Sequence, residues 1–177
     1  PRRKDDLSPL AWEAAAKAIM TTDTYPKGAT LTTNIGGIGV TINGFAKGSG
    51  TIQPDMATML AFVFTDATLP AGVLQALLTD TAAKSFNCIT IDSDTSTSDT
   101  VLLFATGAGG QHRPIEDSGD AGLGDFKEKL LNVMTDLAHQ VVRDGEGASK
   151  FVTVTVGGAE TNEAAKRIAL AIANSPL

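Results

Sequence analysis

The chain is poor in the groups that would make it a disulfide scaffold, a zinc protein or a nucleic-acid binder. It has one cysteine, Cys88, among 177 residues, so no internal disulfide can form. That fits a reducing cytosol, with Cys88 expected as a buried structural thiol. Its two histidines, His112 and His139, are too few and too isolated for a zinc site. Positive charge is also short. Fourteen Lys/Arg against twenty Asp/Glu leave a net charge of -6, which argues against nucleic acid or an anionic membrane as partner. No apolar run is long enough to span a bilayer, so no membrane segment is expected. The opening Pro1-Arg2-Arg3-Lys4 has no apolar stretch behind it and does not read as a secretory signal. The stretch from Gly107 to Gly110 lacks the lysine of a phosphate-binding loop and the full dinucleotide fingerprint.

What is present describes an ordinary globular chain. Hydrophobic content is 42% and charged content 19%, enough for one domain with a sizeable core. The charge is uneven: residues 1–57 carry a net of +1 and residues 58–177 a net of -7. Ser8 and Pro9 read as the cap and first position of a helix to about Met20, burying Leu10, Ala14, Ala18 and Trp12. Tyr25-Pro26 ends that region. Residues 29–33 and 39–45 alternate and read as two strands around a glycine-bearing turn. Residues 59–65 form a nearly continuous apolar run, the pattern of a buried strand.

Pro70 opens a helix with Leu74, Leu77, Leu78 and Ala82 on one face. Residues 88–91 read as a short strand. Residues 100–105 fit either strand or helix, with a Ser/Thr/Asp lead-in suited to a helix cap. Residues 106–120 read as a mobile glycine-rich loop. Phe126, Leu130, Met134, Leu137 and Val141 mark a long amphipathic helix, with His139 facing outward. Residues 150–156 alternate as a strand, and Thr161 caps a last helix. Interleaved helices and strands make the class α/β or α+β.

The most informative stretch is Ala57-Thr58, which follows Lys47-Gly-Ser-Gly50 and leads into the apolar strand. A cut before a threonine frees an α-amine beside its own hydroxyl, so the residue carries its own base. Alone, a threonine opening a strand is ordinary β chemistry. The surrounding blocks are more specific. The segment Lys47-Gly-Ser-Gly-Thr-Ile-Gln-Pro-Asp-Met-Ala-Thr-Met-Leu60 resembles the processing site of the ornithine acetyltransferase family (ArgJ, glutamate N-acetyltransferase). Further blocks follow in the family's order. They are Ala18-Ile-Met-Thr-Thr-Asp-Thr-Tyr-Pro-Lys27, Ser85-Phe-Asn87, Asp92-Ser-Asp-Thr-Ser-Thr-Ser-Asp-Thr100, Val142-Arg-Asp-Gly-Glu-Gly-Ala148 and Ile172-Ala-Asn-Ser-Pro-Leu177.

The resemblance implies an α/β/β/α layered sandwich with the cleavage threonine at a central strand's start. Residues 1–57 would close the α-chain and residues 58–177 open the β-chain, together one compact domain in a cytoplasmic α2β2 assembly. It makes Thr58 the nucleophile, freed by self-cleavage at Ala57-Thr58. Thr58 would take acetyl from N-acetylornithine and pass it to glutamate, in arginine biosynthesis. Thr21, Lys47 and Glu146 become substrate contacts beside Thr58. On its residue type, Lys47 is equally a solvated loop lysine, Thr21 a helix-end threonine and Glu146 an exposed turn residue. Asp23 reads as a brace for its loop. No cofactor or metal is expected, although acetyl-coenzyme A is open as an alternative donor. Asp92, Asp94 and Asp99 lack EF-hand spacing and read as hydrogen-bonding partners of nearby backbone.

Thr51 and Asp55 stand where family members often carry Met and Asn. The family's upstream Ser-Thr-Gly segment, which supplies oxyanion donors, and its C-terminal part have no counterpart here. The expectation is therefore a central portion that other segments complete, since losing such donors costs on the order of a hundred-fold or more in rate. Two other functions stay open: a self-processing aminopeptidase or amidase of the same architecture, and an inactive, uncleaved fragment.

Overall fold

The computed structural model describes residues 8–49, 58–93 and 96–176. Ala57, Thr51, Asp55 and Asp94 lie outside the described residues, and with them the Ala57-Thr58 junction. The elements run α1 (Trp12–Ala18), β1 (Lys27–Ile35), β2 (Ile38–Lys47), β3 (Leu60–Thr65), α2 (Ala71–Lys84), β4 (Thr100–Ala105), α3 (Gly124–Arg143) and α4 (Asn162–Ala173). The four strands form one sheet in the order β1-β2-β3-β4. The first three are antiparallel neighbours, while β4 runs parallel to β3. Strands from both sides of Thr58 therefore share one ladder. The mixed α/β class expected from the sequence is observed.

Local chemistry explains the elements. Gly36 and Gly37 join β1 to β2 with φ of 57° and 85°, the left-handed pair that a two-residue hairpin turn demands. Val40, Ile42, Ala46, Ala61 and Val63 point to one sheet face and are buried there. The face is covered by α3, whose Phe126, Leu130, Met134, Leu137 and Val141 are all at most 2% exposed. Their 3- and 4-residue spacing is what a core-facing helix requires. A side chain at Gly44 would stand 2.7 Å from Leu137 Cδ1 and 3.4 Å from Val133 Cγ1, so α3 sits directly on β2 there. Gly44→Ala is expected to destabilise the fold by about 1–3 kcal/mol through overpacking, read as a lower urea midpoint with an unchanged slope.

The opposite face is aromatic. Phe45 stacks on Phe62 at 5.4 Å and Phe64 on Phe104 at 4.9 Å, each a registered cross-strand pair. Trp12 meets Phe64 edge-on at 5.4 Å.

Several expectations are corrected. Helix α1 is only seven residues long and buries Ala16, while Leu10, Trp12, Ala14 and Ala18 are exposed. An open cleft of about 350 Å³ lies between α1 and the β1–β2 pair, lined by Trp12 and Ala16 on one side and by Ala29, Gly44 and Phe45 on the other. Buried residues of α2 are Val73, Leu77 and Thr81, with Leu74, Leu78 and Ala82 partly buried beside them. Residues 88–91 make no strand. A 3-10 turn, Phe86–Cys88, follows α2 instead, and it leaves Cys88 exposed rather than buried. Residues 100–105 are strand, not helix, because they continue the sheet beside β3.

The glycine-rich loop is anchored rather than free. Gly107 N–H donates to Ala67 O, Gly109 N–H to Asp66 O, and Ile115 is buried. Residues 150–156 are irregular, since nothing among the described residues pairs with them and a strand needs a ladder partner. Phe151 instead lies under Arg143 at 4.7 Å and against the His139 ring, which is half-buried by it. Thr161 caps α4 as expected, its hydroxyl accepting from Ala164 N–H. No described helix is long and apolar enough to cross a membrane.

Candidate active site

Three segments converge at one end of the sheet: the loop after α1, the end of β2 and the turn after α3. The first holds Thr21 and Asp23, the second Lys47 to Ser49, the third Asp144 and Glu146. β3 begins beside them, with Thr58 half-buried just before it.

A fully buried ion cluster ties these segments together. The Lys27 ammonium lies 2.6 Å from Asp23 Oδ1 and 2.5 Å from Asp144 Oδ2. All three side chains are at most 3% exposed. Each carboxylate then accepts bonds from a different segment. Asp23 takes Thr21 N–H at 3.1 Å and Gly48 N–H at 2.8 Å. Asp144 takes Thr24 N–H at 2.9 Å and the Thr24 hydroxyl. Burial alone would raise the Asp23 carboxyl, yet the Gly48 N–H, Lys27 and Thr21 N–H bonds together hold it below the ordinary value. Asp144 behaves alike: burial opposes, but Lys27 and the two Thr24 donors outweigh it. Both are ionised because charge and hydrogen bonds beat desolvation.

Around this brace stand the residues singled out in the sequence. Lys47 is 6% exposed, and its ammonium donates to the exposed Thr21 hydroxyl at 3.4 Å. The Thr22 and Ser49 hydroxyls are bonded at 2.6 Å. Glu146 is exposed and held by its backbone, its N–H donating to Ser49 O at 2.7 Å. Gly48 adopts φ 146°, and a Cβ there would meet Met59 Cα, Cβ and Cγ at 3.4 Å. The β2 end is thus in contact with the residue after Thr58. Thr21 and Lys47 are brought together directly; Glu146 and Thr58 reach them through Ser49 and Met59.

The family model described as ArgJ family matches residues 2–177. The chain belongs to the ArgJ family. It is 61% identical over 168 residues to the arginine biosynthesis bifunctional protein ArgJ of Rhizobium meliloti (strain 1021), covering 94% of this chain and 41% of that protein. It is 55% identical to the protein of the same name from Caulobacter vibrioides, over 100% of this chain and 44% of the relative. The chain spans roughly two fifths of the length of these curated relatives. Among solved structures, the crystal structure of arginine biosynthesis bifunctional protein ArgJ from Bacillus halodurans matches with a TM-score of 0.60 and 39% identity. That match covers 67% of this chain and 55% of the other, and it supports the ArgJ-type α/β fold.

Thr21 and Lys47 meet directly in the structure, and the sequence pattern carries little sign of the buried cluster beneath them. Asp23 is the loop brace expected. By sequence, Lys27 is only the last residue of one block and Asp144 only a member of another. Lysine is among the residues least often buried, so its type hid it. The available signal was the Asp23/Lys27 pair at a spacing of four and a lysine heading an apolar-alternating strand. Asp99, expected to cap a helix, instead accepts from Met59 N–H at 2.9 Å.

Proposed function

We propose that the protein carrying this chain moves an acetyl group from N-acetylornithine to glutamate through an acetyl-Thr58 ester, after cutting itself at Ala57-Thr58. The observation that carries the reading is the buried Lys47 ammonium beside the Thr21 hydroxyl, in a β2 end packed on Met59. A buried cation with one long contact among the described residues suits an anionic ligand or a developing negative charge. Family membership supports the chemistry.

Self-cleavage starts with Thr58 Oγ attacking the Ala57 carbonyl. The C–N bond breaks, an ester forms, and the former amide nitrogen leaves as the Thr58 amine. Water then hydrolyses the ester, leaving the Ala57 carboxylate and a free Thr58. In turnover the α-amine takes the hydroxyl proton as Oγ attacks the acetyl carbonyl of N-acetylornithine. The tetrahedral adduct collapses, and ornithine leaves with that proton on its amine. Glutamate's neutral amine attacks the ester, N-acetylglutamate departs, and Thr58 Oγ regains a proton. Lys47 pairs with the substrate carboxylate or the adduct's oxyanion, Thr21 donates a hydroxyl, and Glu146 faces the amino group. The α2β2 assembly and a cytoplasmic site of action go with this reading, and no cofactor is required.

The test is product analysis of the full-length protein given N-acetylornithine with and without glutamate, and acetyl-coenzyme A as substitute donor. N-acetylglutamate formed only with glutamate supports transfer. Acetate released with no N-acetylglutamate would replace it by an amidase. Lys47→Ala is expected to lower kcat/KM by about 10- to 150-fold, the worth of a charge-assisted bond, with self-cleavage followed in parallel by intact mass.

A further inference from the structure

The self-cleavage reading creates a mechanical problem at Thr58. Once the chain is cut, Thr58 becomes a chain end, and chain ends fray unless something ties them down. The ladder of β3 begins only at Leu60, opposite Lys47 on one side and Thr100 on the other. Thr58 and Met59 project beyond it, yet the hydroxyl must meet its target within a fraction of an ångström.

The backbone of Met59 is nevertheless bonded at both polar groups. Its carbonyl accepts from Thr100 N–H at 3.0 Å, the last bond of the parallel ladder. The next bond of a regular parallel ladder would join Met59 N–H to Ser98 O. That carbonyl accepts the Thr100 hydroxyl at 3.1 Å, and Met59 N–H does not bond to it. The Asp99 carboxylate stands in for it, with Oδ1 2.9 Å from Met59 N. From the other side Gly48, at φ 146°, lies against Met59 so closely that a Cβ would touch it at 3.4 Å. Met59 thus has its N–H held by a carboxylate and Gly48 beside it, one peptide unit from the nucleophile.

We propose that Asp99 is a positioning residue for Thr58, its carboxylate replacing the missing ladder acceptor and holding the chain end that carries the hydroxyl and amine. The inference rests on Thr58 being the nucleophile. Asp99 is exposed and touches neither substrate nor reacting atoms in this role; it works through Met59 N–H. A neutral acceptor of the same shape should suffice, which separates the bond from the charge.

The experiment compares Asp99→Ala, Asp99→Asn and Thr58→Ala in the full-length protein. Asp99→Ala is expected to cut kcat by about ten- to a hundred-fold, as small misplacements of reacting groups do, with KM for both substrates within about two-fold. Self-cleavage, read by intact mass, should slow in parallel, and Asp99→Asn should recover most of both rates. All three proteins should melt at nearly the same temperature. Wild-type kcat in Asp99→Ala would overturn the proposal, and so would an Asp99→Asn as slow as Asp99→Ala. An active Thr58→Ala would instead remove the nucleophile reading beneath it, a separate outcome.

Discussion

Replacing Thr58 by alanine is expected to leave the full-length protein in one piece and to lower acetyl transfer by roughly 10⁴-fold or more. Removing a nucleophile removes the covalent path entirely, and what survives is binding and electrostatic help. The same hydroxyl performs both reactions, so both should vanish together. Thr58→Ser keeps a hydroxyl beside the new amine and should still cut, with reduced turnover because the methyl no longer restricts the side chain's rotation. Mass spectrometry of the purified protein separates the cases: one mass for alanine, two summing to the precursor plus water for serine. Cleavage persisting in Thr58→Ala would assign the attack to another group. An uncut but fully active variant would separate processing from catalysis.

The second large effect belongs to Lys27. Lys27→Met is expected to destabilise the protein by about 3–5 kcal/mol, because it leaves two buried carboxylates, Asp23 and Asp144, without their shared cation. The pH dependence gives a sharper test. Both carboxyls are held below the ordinary aspartate value in the folded state. The unfolded chain therefore binds more protons than the folded one around and below pH 4. Their contribution to stability is fully present above that value and is lost as pH falls through the folded values. Without Lys27, burial works against both ionised groups with only the Gly48, Thr21 and Thr24 donors left to oppose it, so the slope of stability against pH should flatten. Urea titrations at a series of pH values between about 3 and 7 would show it. A Lys27→Met protein with the wild-type slope would mean that the cluster is not what holds these carboxylates ionised. Loss of the brace should also reach the site, since Asp23 fixes the backbone of Thr21 and Gly48 together.

The buried face of the long helix α3 was largely legible, because five large apolar side chains at helical spacing mark one stripe; the structure also buries Val133 and Ala138 on its flank. The hairpin was legible for a similar reason: alternation on both sides of Gly36-Gly37 leaves little choice of register. Elements that depend on a neighbour were not. Residues 150–156 carry a clean strand pattern and form no strand, since alternation specifies a face and not a partner. Cys88 is a residue type usually buried, yet it sits exposed on a turn whose position depends on how α2 ends. Leu10 and Trp12 look like core residues of a helix, but Ala16 is the residue α1 buries, while Trp12 stays 39% exposed as it meets Phe64 edge-on and Leu10 is 89% exposed.

The candidate site divides along the same line. Thr21, Lys47, Thr58 and Glu146 stand in the ordered blocks that resemble the ArgJ family, and residue type alone marks none of them as a site residue. Chain order alone leaves them up to 125 positions apart and says nothing of their meeting. Their meeting was decided in three dimensions by Lys27 bridging Asp23 to Asp144, by Gly48 lying against Met59 and by Asp99 completing a ladder bond. Each of these is a contact between segments distant in sequence. Its stabilising power comes from burial and hydrogen-bond geometry, which exist only once the sheet and α3 have come together.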